Sequence, residues 1–294
     1  HATSGFTSII SNIGSMRNWG FELGLNGNME FGDFKWRSDF NLGLVKNKLT
    51  SLLNNDPLLI GRTHVLKVGE EVGSFFIYKQ QGIFQSDDEV PQPQYAAGIR
   101  AGDVKYEDVN NDGKIDVNDR QIVGSANPDF TGGFNNTFTY KNFDLSVFMN
   151  FSVGNDVYET WIGGYRLGNG VWPMLESEAL KRWTGPGTSN TTPRAIWGNT
   201  VNSSSTYSTR FLHDGSYLRF RTLSLGYTLP ENVVRKLKIS RTRLYAQADN
   251  LFLLTKYPLL DPEVNISLSP STMGEDFLMA PQPRSFNFGV NFSF

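Results

Sequence analysis

The sequence predicts an all-β fold, a transmembrane antiparallel β-barrel to which this chain contributes about seven spanning strands with long extracellular loops. Apolar and polar residues alternate with period two over seven segments, which indicates strands with one apolar and one wet face. These segments are up to 17 residues long, whereas ordinary strands have about five or six residues and tilted transmembrane strands need about 9 to 11. The connections alternate between short and long, as they do in outer-membrane barrels.

The composition of the 294 residues agrees with such a sheet and excludes several other classes. Lys plus Arg number 27 against 29 Asp plus Glu, so no charge excess indicates nucleic-acid binding or disorder. Gly (29) and Phe (22) are both abundant. The longest apolar runs have four residues, far fewer than the roughly 18 of a membrane helix. The absence of cysteine excludes disulfides, cysteine-ligated zinc and thiol catalysis.

The first two predicted strands are residues 17–31 and 33–49, with a tight turn at Gly32. The third and fourth are residues 129–141 and 143–154, which an equally short turn joins. The apolar faces of these four strands carry Trp19, Phe21, Leu23, Leu25, Met29, Phe31, Phe34, Trp36, Phe40, Leu42, Leu44, Phe130, Phe134, Phe138, Tyr140, Phe143, Leu145, Val147, Met149, Phe151 and Val153.

The last three predicted strands are residues 216–229, 242–254 and 285–294, and a connection of modest length, 230–240, joins the first two of them. The apolar faces of these strands carry Leu223, Leu225, Tyr227, Leu229, Leu244, Ala246, Ala248, Phe252, Phe286, Phe288, Val290, Phe292 and Phe294.

The two faces of these strands differ as the two sides of a barrel wall do. The polar faces carry Asn, Ser, Thr, Gly, Asp and Arg, as a wet lumen requires, and the apolar faces are rich in aromatic residues, as a lipid band requires. Trp19, Trp36, Tyr140 and Tyr227 lie near predicted strand ends, where aromatic girdles occur. The alternative is a large soluble β-sandwich whose polar faces contact water, which the strand lengths disfavour.

The three long connections, at about 50–128, 155–215 and 255–283, are predicted to be external loops. With this assignment the seven strands alternate in direction without exception and the last strand runs inward. The strand-like piece at 74–78 is predicted to be local structure inside the first of them. Seven strands leave open edges, whose backbone groups cannot stay unpaired in lipid, so other polypeptide must complete the barrel. Since the chain begins His1-Ala2-Thr3, we expect a mature, truncated or fragment chain.

A twelve-residue segment of the first long connection, 108–119, has the spacing of a calcium-binding loop. Oxygen-bearing side chains stand at positions 1, 3, 5, 9 and 12, and Gly113 at position 6 permits a sharp turn. An aspartate at position 12, where glutamate is usual, makes the loop more similar to a dockerin-type loop than to an EF-hand. The alternative is a solvated acidic turn. The residues predicted to bind Ca²⁺ are Asp108, Asn110, Asp112, Lys114 (through its backbone carbonyl), Asp116 and Asp119.

Candidate ligand-binding residues lie in the second long connection and in the fifth strand. Sugar rings stack on aromatic side chains, so Trp161, Tyr165 and Trp172 are predicted to contact a ligand, the alternative being that they pack the loop onto itself. Arg219 and Arg221 could face the lumen and meet an anionic substrate, or they could form salt bridges of the barrel wall. Residues 173–183 are predicted to form a short helix with proline at its first position.

No residue pattern indicates catalysis. The three histidines, His1, His64 and His213, share no spacing with a carboxylate or a nucleophile. The sequence has no nucleophile elbow, zinc-protease motif or phosphate loop. We therefore predict that the chain is not an enzyme and has no catalytic residues.

Several strings spread over the whole chain resemble one known family. They are Asn-Ile-Gly-Ser-Met-Arg-Asn at 12–18, Gly-Asp-Val-Lys-Tyr-Glu-Asp at 102–108, Asp-Arg-Gln-Ile-Val-Gly at 119–124, Asn-Pro-Asp-Phe at 127–130, Ala-Leu-Lys-Arg-Trp-Thr at 179–184, Asp-Gly-Ser-Tyr-Leu-Arg at 214–219, Leu-Gly-Tyr-Thr-Leu-Pro at 225–230 and Asp-Asn-Leu-Phe at 249–252. Together with the terminal Phe294 they resemble the C-terminal half of the SusC/RagA family of TonB-dependent outer-membrane transporters of Bacteroidetes.

The resemblance implies that residues 1–294 are the C-terminal part of a 22-stranded barrel whose lumen holds a plug domain. In this family an oligosaccharide or a peptide is captured under a SusD-like surface lipoprotein, and TonB then acts on the plug. The plug, the TonB box and roughly the first fifteen strands are missing from the sequence, so the resemblance implies contact with TonB only through a missing N-terminal region. It also implies an outer-membrane location and lipid contact.

Two alternatives stay open at this point. A passive porin-type channel would lack both a plug and a lipoprotein partner. A soluble, calcium-stabilised β-sandwich that binds glycans would fold without detergent.

Overall fold

The computed structural model of the chain describes residues 12, 14–160, 166, 168, 173–198, 207–234 and 240–293. The short helices are α1 (Gln92–Ala96), α2 (Glu176–Lys181) and α3 (Glu231–Val234). No helix within these ranges has the length and apolar character to cross a membrane. The strands are β1 (Gly14–Phe31), β2 (Phe34–Leu52), β3 (Leu58–Ile60), β4 (His64–Leu66), β5 (Ser74–Tyr78), β6 (Gln80–Ile83), β7 (Val104–Tyr106), β8 (Arg120–Ser125), β9 (Phe130–Tyr140), β10 (Phe143–Val153), β11 (Asp156–Glu159), β12 (Leu212–Asp214), β13 (Tyr217–Thr228), β14 (Arg241–Thr255), β15 (Glu275–Asp276) and β16 (Ser285–Ser293).

Seven long strands form one antiparallel sheet in the order β1-β2-β9-β10-β13-β14-β16. They are the seven strands that the alternation of residues predicts, so the predicted antiparallel all-β fold is confirmed. The observed bounds differ by a few residues, since β1 begins at Gly14 and β2 continues to Leu52. Each neighbour in the sheet is also the next long strand along the chain, which is the meander that short and long connections in alternation produce.

The shorter strands form three smaller sheets within the long connections, in the orders β3-β4-β5-β8, β6-β7 and β12-β11-β15. As expected for the piece at 74–78, β5 pairs with β4 and β8 and not with the seven-stranded sheet. The predicted helix at 173–183 is present only as α2, which begins at Glu176. Pro173 therefore precedes the helix and does not stand at its first position.

The two short turns of the sheet each use a left-handed backbone. Phe31 pairs with Phe34 and leaves Gly32 in the turn with a φ of 59°, a value that glycine adopts without steric cost. Tyr140 pairs with Phe143, and Lys141 in that turn has a φ of 52°. Hairpins of two residues favour turns with positive φ, since these match the twist of the flanking strands.

An irregularity interrupts the pairing of β13 with both of its neighbours. Phe220 pairs with Met149 and Thr222 pairs with Phe148, so Arg221 is an extra residue relative to β10. On β14 the residues opposite this point include Asn250, which has a φ of 53°. A bulge of one residue exchanges the faces of a strand on its two sides. The apolar face therefore changes from the odd positions after the bulge to the even positions before it.

One face of the seven-stranded sheet exposes a broad apolar surface. Phe286 and Phe288 in β16 are 62% and 80% exposed. Contiguous apolar surface of this extent is uncommon on soluble proteins and marks a face that another medium or molecule covers. Other exposed members are Trp19, Phe21, Leu25, Met29, Phe31, Leu44, Phe130, Tyr140, Phe143, Leu225, Leu244, Phe252, Leu254, Val290 and Phe292.

A single asparagine interrupts the apolar face in the middle of β9. Asn136 has the parity of Phe134 and Phe138 and is buried among its neighbours. The Trp36 Nε1–H group donates a hydrogen bond of 3.0 Å to the Asn136 Oδ1 atom. A buried polar atom is costly unless it has such a partner, so the indole makes this asparagine compatible with an apolar face.

The clusters of buried apolar residues lie in the long connections, whereas Leu49 and Ala248 are the buried apolar residues of the sheet among those described. We call residues 53–129 the first connection, 154–216 the second and 256–284 the third, and the three together the loop layer. Their assignment as extracellular loops stays a prediction. The main cluster joins all three connections and consists of Phe75, Ile77, Ala126, Tyr158 and Phe211, with Val123, Tyr207, Leu212 and Met273 packed against it.

We expect the substitution Gly226→Ala to destabilise the sheet by about 1 to 3 kcal/mol, the usual cost of overpacking. Arg243 reaches across Gly226 to Asp144, with its Nε atom 2.9 Å from Oδ1 and its Nη2 atom 2.5 Å from Oδ2. A Cβ atom on residue 226 would lie 2.4 Å from both side chains. The loss is measured as a fall in the temperature at which the folded band of the complete receptor disappears in electrophoresis.

Gly24→Ala is the matched control for this substitution. Gly24 lies in β1 of the same sheet, and a Cβ atom there would meet nothing within 4 Å. An equal loss of stability in both variants would show that the ion pair across Gly226 is not the cause.

Candidate functional site

A cluster of closely paired charges lies at the start of β13, where the strand meets the third connection. The Arg219 Nη2 atom is 2.5 Å from Asp261 Oδ1, and its Nε atom is 2.6 Å from Glu263 Oε2. The Arg221 Nη2 atom is 2.5 Å from Glu263 Oε1, to which the Tyr217 hydroxyl also donates a hydrogen bond of 2.7 Å. Arg219 is 3% exposed and Asp261 1% exposed.

Both arginines that the sequence singles out are thus brought together, and both are paired with carboxylates of the same chain. The alternative to ligand contact was a salt bridge of the barrel wall, whereas the observed partners, Asp261 and Glu263, belong to the third connection. Contact of Arg219 or Arg221 with an anionic substrate stays a prediction. Asp261 and Glu263 were not singled out in the sequence, because no motif surrounds them and 42 residues separate Arg219 from Asp261.

A shallow groove of about 730 Å³ lies beside this cluster, and Leu23, Leu42 and Phe151 of the apolar face line it together with residues of the polar face. Gly24 and Gly43 contribute no side chain to it, and a Cβ atom at Gly24 would meet nothing within 4 Å. Amide, hydroxyl and carboxylate groups can hydrogen-bond the hydroxyl groups of a sugar or the amides of a peptide. The side chains on its polar side are Glu22, Asn41, Thr131, Asn150 and Tyr217.

A second network of buried charges holds the second connection together. Glu159 accepts a hydrogen bond of 2.9 Å from Arg166 Nε and lies 2.9 Å from His213 Nε2. Glu178 in α2 accepts from Arg166 Nη1 at 2.7 Å and from Arg210 Nη2 at 3.1 Å. Burial lowers the pKa of the Arg210 guanidinium, an effect that Glu178 opposes. The network ties α2 to β11 and to the segment before β12.

A bidentate ion pair joins the first connection to the second. The Arg194 Nε and Nη2 atoms lie 2.8 and 3.0 Å from the two carboxylate oxygens of the fully buried Asp103. The Arg100 backbone N–H group donates a further hydrogen bond of 2.9 Å to Asp103. Next to this pair Gly102 has a φ of 87°, and a Cβ atom there would lie 2.5 Å from the Trp183 ring. The close approach of the two connections therefore requires glycine.

The predicted calcium loop folds as a series of turns in which carboxylates accept backbone N–H groups. Asp108 accepts from the N–H groups of Asp112 at 3.2 Å and Gly113 at 2.7 Å. The buried Asp119 accepts from Val109 at 2.9 Å and Asp116 at 2.7 Å. Gly113 has a φ of 78°, as the sharp turn at position 6 requires.

The side chains of this loop fit calcium in donor chemistry, since hard oxygen atoms are the ligands that Ca²⁺ takes. Each carboxylate oxygen also has two lone pairs, so an accepted N–H group leaves capacity for a cation. Within the described part of the chain, however, no group of three or more His, Cys, Asp or Glu is arranged to hold a metal ion. The calcium site at Asp108, Asn110, Asp112, Lys114, Asp116 and Asp119 stays a prediction.

The aromatic residues of the second connection fall into two groups, those outside the described residues and those whose packing is described. Trp161, Tyr165 and Trp172, the predicted ligand contacts, lie outside the described residues. Trp183 packs against the small cluster of Ile83, Val104 and Tyr106, and its Nε1–H group donates to Gln85 Oε1 at 3.2 Å. Trp183 therefore packs the first two connections together.

Asp156 gives the loop layer a defined pH dependence. Burial, together with the nearby Asp214 and Asp129, raises the pKa of its carboxyl group to about 6, although the Ser125 N–H group donates to it at 3.1 Å. The folded chain binds this proton more tightly than the unfolded chain, so the stabilisation is complete below about pH 4 and is lost as the pH rises through about 6.

We expect Asp156→Asn to remove this part of the pH dependence, since the amide oxygen can still accept the Ser125 N–H group and carries no charge at any pH. The rate at which a protease cleaves the loop layer, measured from pH 4 to 7.5, is the readout. The ratio of the wild-type rate to the variant rate should rise with pH. A ratio that stays constant would assign the pH dependence to other groups.

The comparisons place this fold among known proteins. TonB-dependent receptor P3 of Formosa agariphila is 34% identical over 99% of this chain and 30% of the receptor, and TonB-dependent receptor SusC of Bacteroides thetaiotaomicron is 26% identical over 97% of this chain and 27% of that protein. The RagAB peptide transporter has a similar fold, with a TM-score of 0.78 and 23% identity over the whole of this chain and 31% of that chain. No protein-family model matches the chain.

The chain forms a long-stranded antiparallel sheet with an exposed apolar face and a hydrogen-bonded polar face. Together with the similarity to these receptors, this sheet defines the chain as part of the β-structure of a TonB-dependent receptor. The resemblance to the SusC/RagA family is thereby confirmed. The chain spans about 30% of the length of the curated relatives that it matches. These relatives are receptors and not enzymes, which agrees with the absence of a catalytic motif from the sequence.

Proposed function

We propose that the chain is part of a SusC-like TonB-dependent transporter that imports oligosaccharides or peptides across the outer membrane together with a SusD-like lipoprotein. The observation that carries the proposal is the seven-stranded sheet, whose exposed apolar face suits lipid and whose polar face suits a wet lumen. The similarity to TonB-dependent receptors over nearly the whole chain supports it. The open edges at β1 and β16 call for further polypeptide, because unpaired backbone groups are costly in lipid.

The placement of the other parts follows from this proposal. Residues 1–294 form a C-terminal portion of the barrel, the loop layer lies on the extracellular side, and other polypeptide supplies the plug and the remaining strands. TonB then acts through that other polypeptide, and the SusD-like lipoprotein covers the loop layer. The amide and hydroxyl groups of the polar face suit uncharged polar solutes such as oligosaccharides and peptides.

Uptake by cells that produce the complete receptor tests this proposal. Labelled oligosaccharides and labelled peptides are offered to wild-type cells, to cells without TonB and to cells without the SusD-like lipoprotein. We expect one class of solute to enter wild-type cells, and its entry to depend on both partners. Entry that is independent of TonB would favour a passive porin-type channel. Recovery of the receptor in the soluble fraction would favour the glycan-binding β-sandwich.

We also propose that the loop at 108–119 binds Ca²⁺ through oxygen atoms of Asp108, Asn110, Asp112, Asp116 and Asp119 and the Lys114 carbonyl. The spacing of the oxygen donors and the left-handed Gly113 support this. The ion would neutralise acidic side chains that otherwise repel one another, and so stabilise the first connection.

We expect micromolar to millimolar Ca²⁺ to slow proteolysis of the first connection in the complete receptor, since sites of this chemistry cover about that range of affinity. Asp112→Asn should weaken the effect at least about tenfold, because it removes one charged ligand. Asp88→Asn, an exposed aspartate of the same connection outside the loop, is the control. Protection that is equal with Mg²⁺, or unchanged in Asp112→Asn, would support the solvated acidic turn.

A further inference from the structure

We propose that Arg219 and Arg221 latch the third connection to the polar face, and that this latch limits the size of solutes that reach the groove beside Tyr217. The inference rests on the proposed function in one respect, namely that the polar face lines the lumen. The inference adds that the third connection limits the size of the solute. The residues that hold this connection in place all belong to this chain.

The Arg219–Asp261 pair of the latch is buried, unlike an ordinary surface ion pair. Asp261 binds Arg219 and also accepts the backbone N–H groups of Glu263 and Gln282, each at 3.0 Å. Residues near both ends of the third connection are therefore gathered on one carboxylate. Breaking a buried pair by removal of one partner leaves an uncompensated charge and is strongly unfavourable.

The bulge in β13 is what brings the latch to the polar face. Leu223 and Leu225 lie on the apolar face after the bulge, and strict alternation would place Arg219 on that face too. The extra residue Arg221 reverses the parity, so that Arg219 and Tyr217 meet the third connection. Bulges commonly re-aim a side chain next to a functional site.

The latched segment contacts the groove through Tyr217. Tyr217 lines the groove and donates its hydroxyl hydrogen to Glu263, and the same hydroxyl oxygen accepts the Asn150 Nδ2–H group at 3.2 Å. Thr131 lies in the same groove at the first residues of β9. A change in the position of the segment 261–263 therefore changes the width of the approach to Thr131.

The far part of the third connection is held by the second connection. The Tyr158 N–H group donates to the Gly274 carbonyl at 2.7 Å, and β15 pairs with β11. The third connection is thus fixed to the second connection at one point and to the sheet at another. In the proposed latch it acts as a strap between them.

The test uses the complete receptor with Thr131→Cys as its single cysteine; this chain has none of its own, and any cysteine in the remaining polypeptide is replaced by serine. A small water-soluble maleimide and a maleimide joined to a long polyethylene glycol are applied from outside, and the ratio of their labelling rates is measured. Arg219→Gln and Asp261→Asn break the latch. Arg243→Gln, which breaks an ion pair with Asp144 on the same face away from the third connection, is the control.

In both latch variants we expect the labelling rate of the long reagent, relative to that of the small one, to rise about a hundredfold, the change that about 3 kcal/mol produces. In the control this ratio should stay constant. Glu263→Gln, which keeps the Arg219–Asp261 pair, should give a smaller gain and serves if either latch variant fails to fold. An unchanged ratio in all folded variants would overturn the latch. Labelling of Thr131→Cys only by lipid-soluble reagents would instead overturn the proposed function, because the polar face would not be wet.

Discussion

Replacing Phe75 by alanine is expected to loosen all three connections of the loop layer at once. Phe75 is completely buried, and its ring centroid lies 4.6 Å from that of His64 and 6.2 Å from that of Tyr158. It packs in one cluster with Phe211 of the second connection and Met273 of the third. Truncation of a buried phenylalanine costs about 3 to 5 kcal/mol, since it removes apolar burial and leaves a cavity.

Hydrogen exchange of the complete receptor measures this effect segment by segment. Backbone amides of β5, of β11 and of residues 272–276 should lose protection together, because segments that share a core open as one cooperative unit. Leu268→Ala is the control, since Leu268 belongs to the same loop layer but is 103% exposed. Loss of protection confined to β5 would mean that the three connections are stabilised separately.

The strands of the large sheet could be predicted from the sequence because their signal is local. Alternation such as that of Phe286 and Phe288 with Asn287 depends only on neighbours along the chain, and it places one face in an apolar medium. The seven strands follow from it without any long-range information. Strand ends are less certain, because the alternation fades before the hydrogen bonding does, as at β2 near Leu52.

The bulge at Arg221 is a feature that strict alternation does not foresee. The alternation of Leu223 and Leu225 continues through Arg219 at the same parity, which would place a charge on the apolar face. This conflict could have indicated the bulge from the sequence, since an unpaired charge in lipid is costly. A bulge resolves the conflict by shifting the register by one residue.

The contacts that organise the loop layer could not be predicted, because they join residues far apart in sequence. Arg194 and Asp103 are 91 residues apart, and no repeat or motif relates them. Their pairing depends on how the connections fold over one another. The sequence therefore predicts the wall of this structure well and the layer on top of it only by composition.

The largest electrostatic effect is expected from Glu178→Ala. Glu178 is buried and binds the guanidinium groups of both Arg166 and Arg210, and Thr192 Oγ1 also donates to it at 3.3 Å. Its removal leaves the buried Arg210 without its carboxylate partner and next to a second cation. Removal of one partner from a buried ion pair costs about 3 to 5 kcal/mol, so α2 and the segment before β12 should separate.

The rate of proteolysis within residues 176–211 of the complete receptor measures this separation. Glu176→Ala is the matched control, because Glu176 lies in the same helix but is exposed and forms no part of the network. Glu178→Gln should lie between wild type and Glu178→Ala, since the amide oxygen keeps one hydrogen bond but not the charge. Equal rates in Glu178→Ala and Glu176→Ala would show that packing of α2, and not the buried carboxylate, holds the second connection in place.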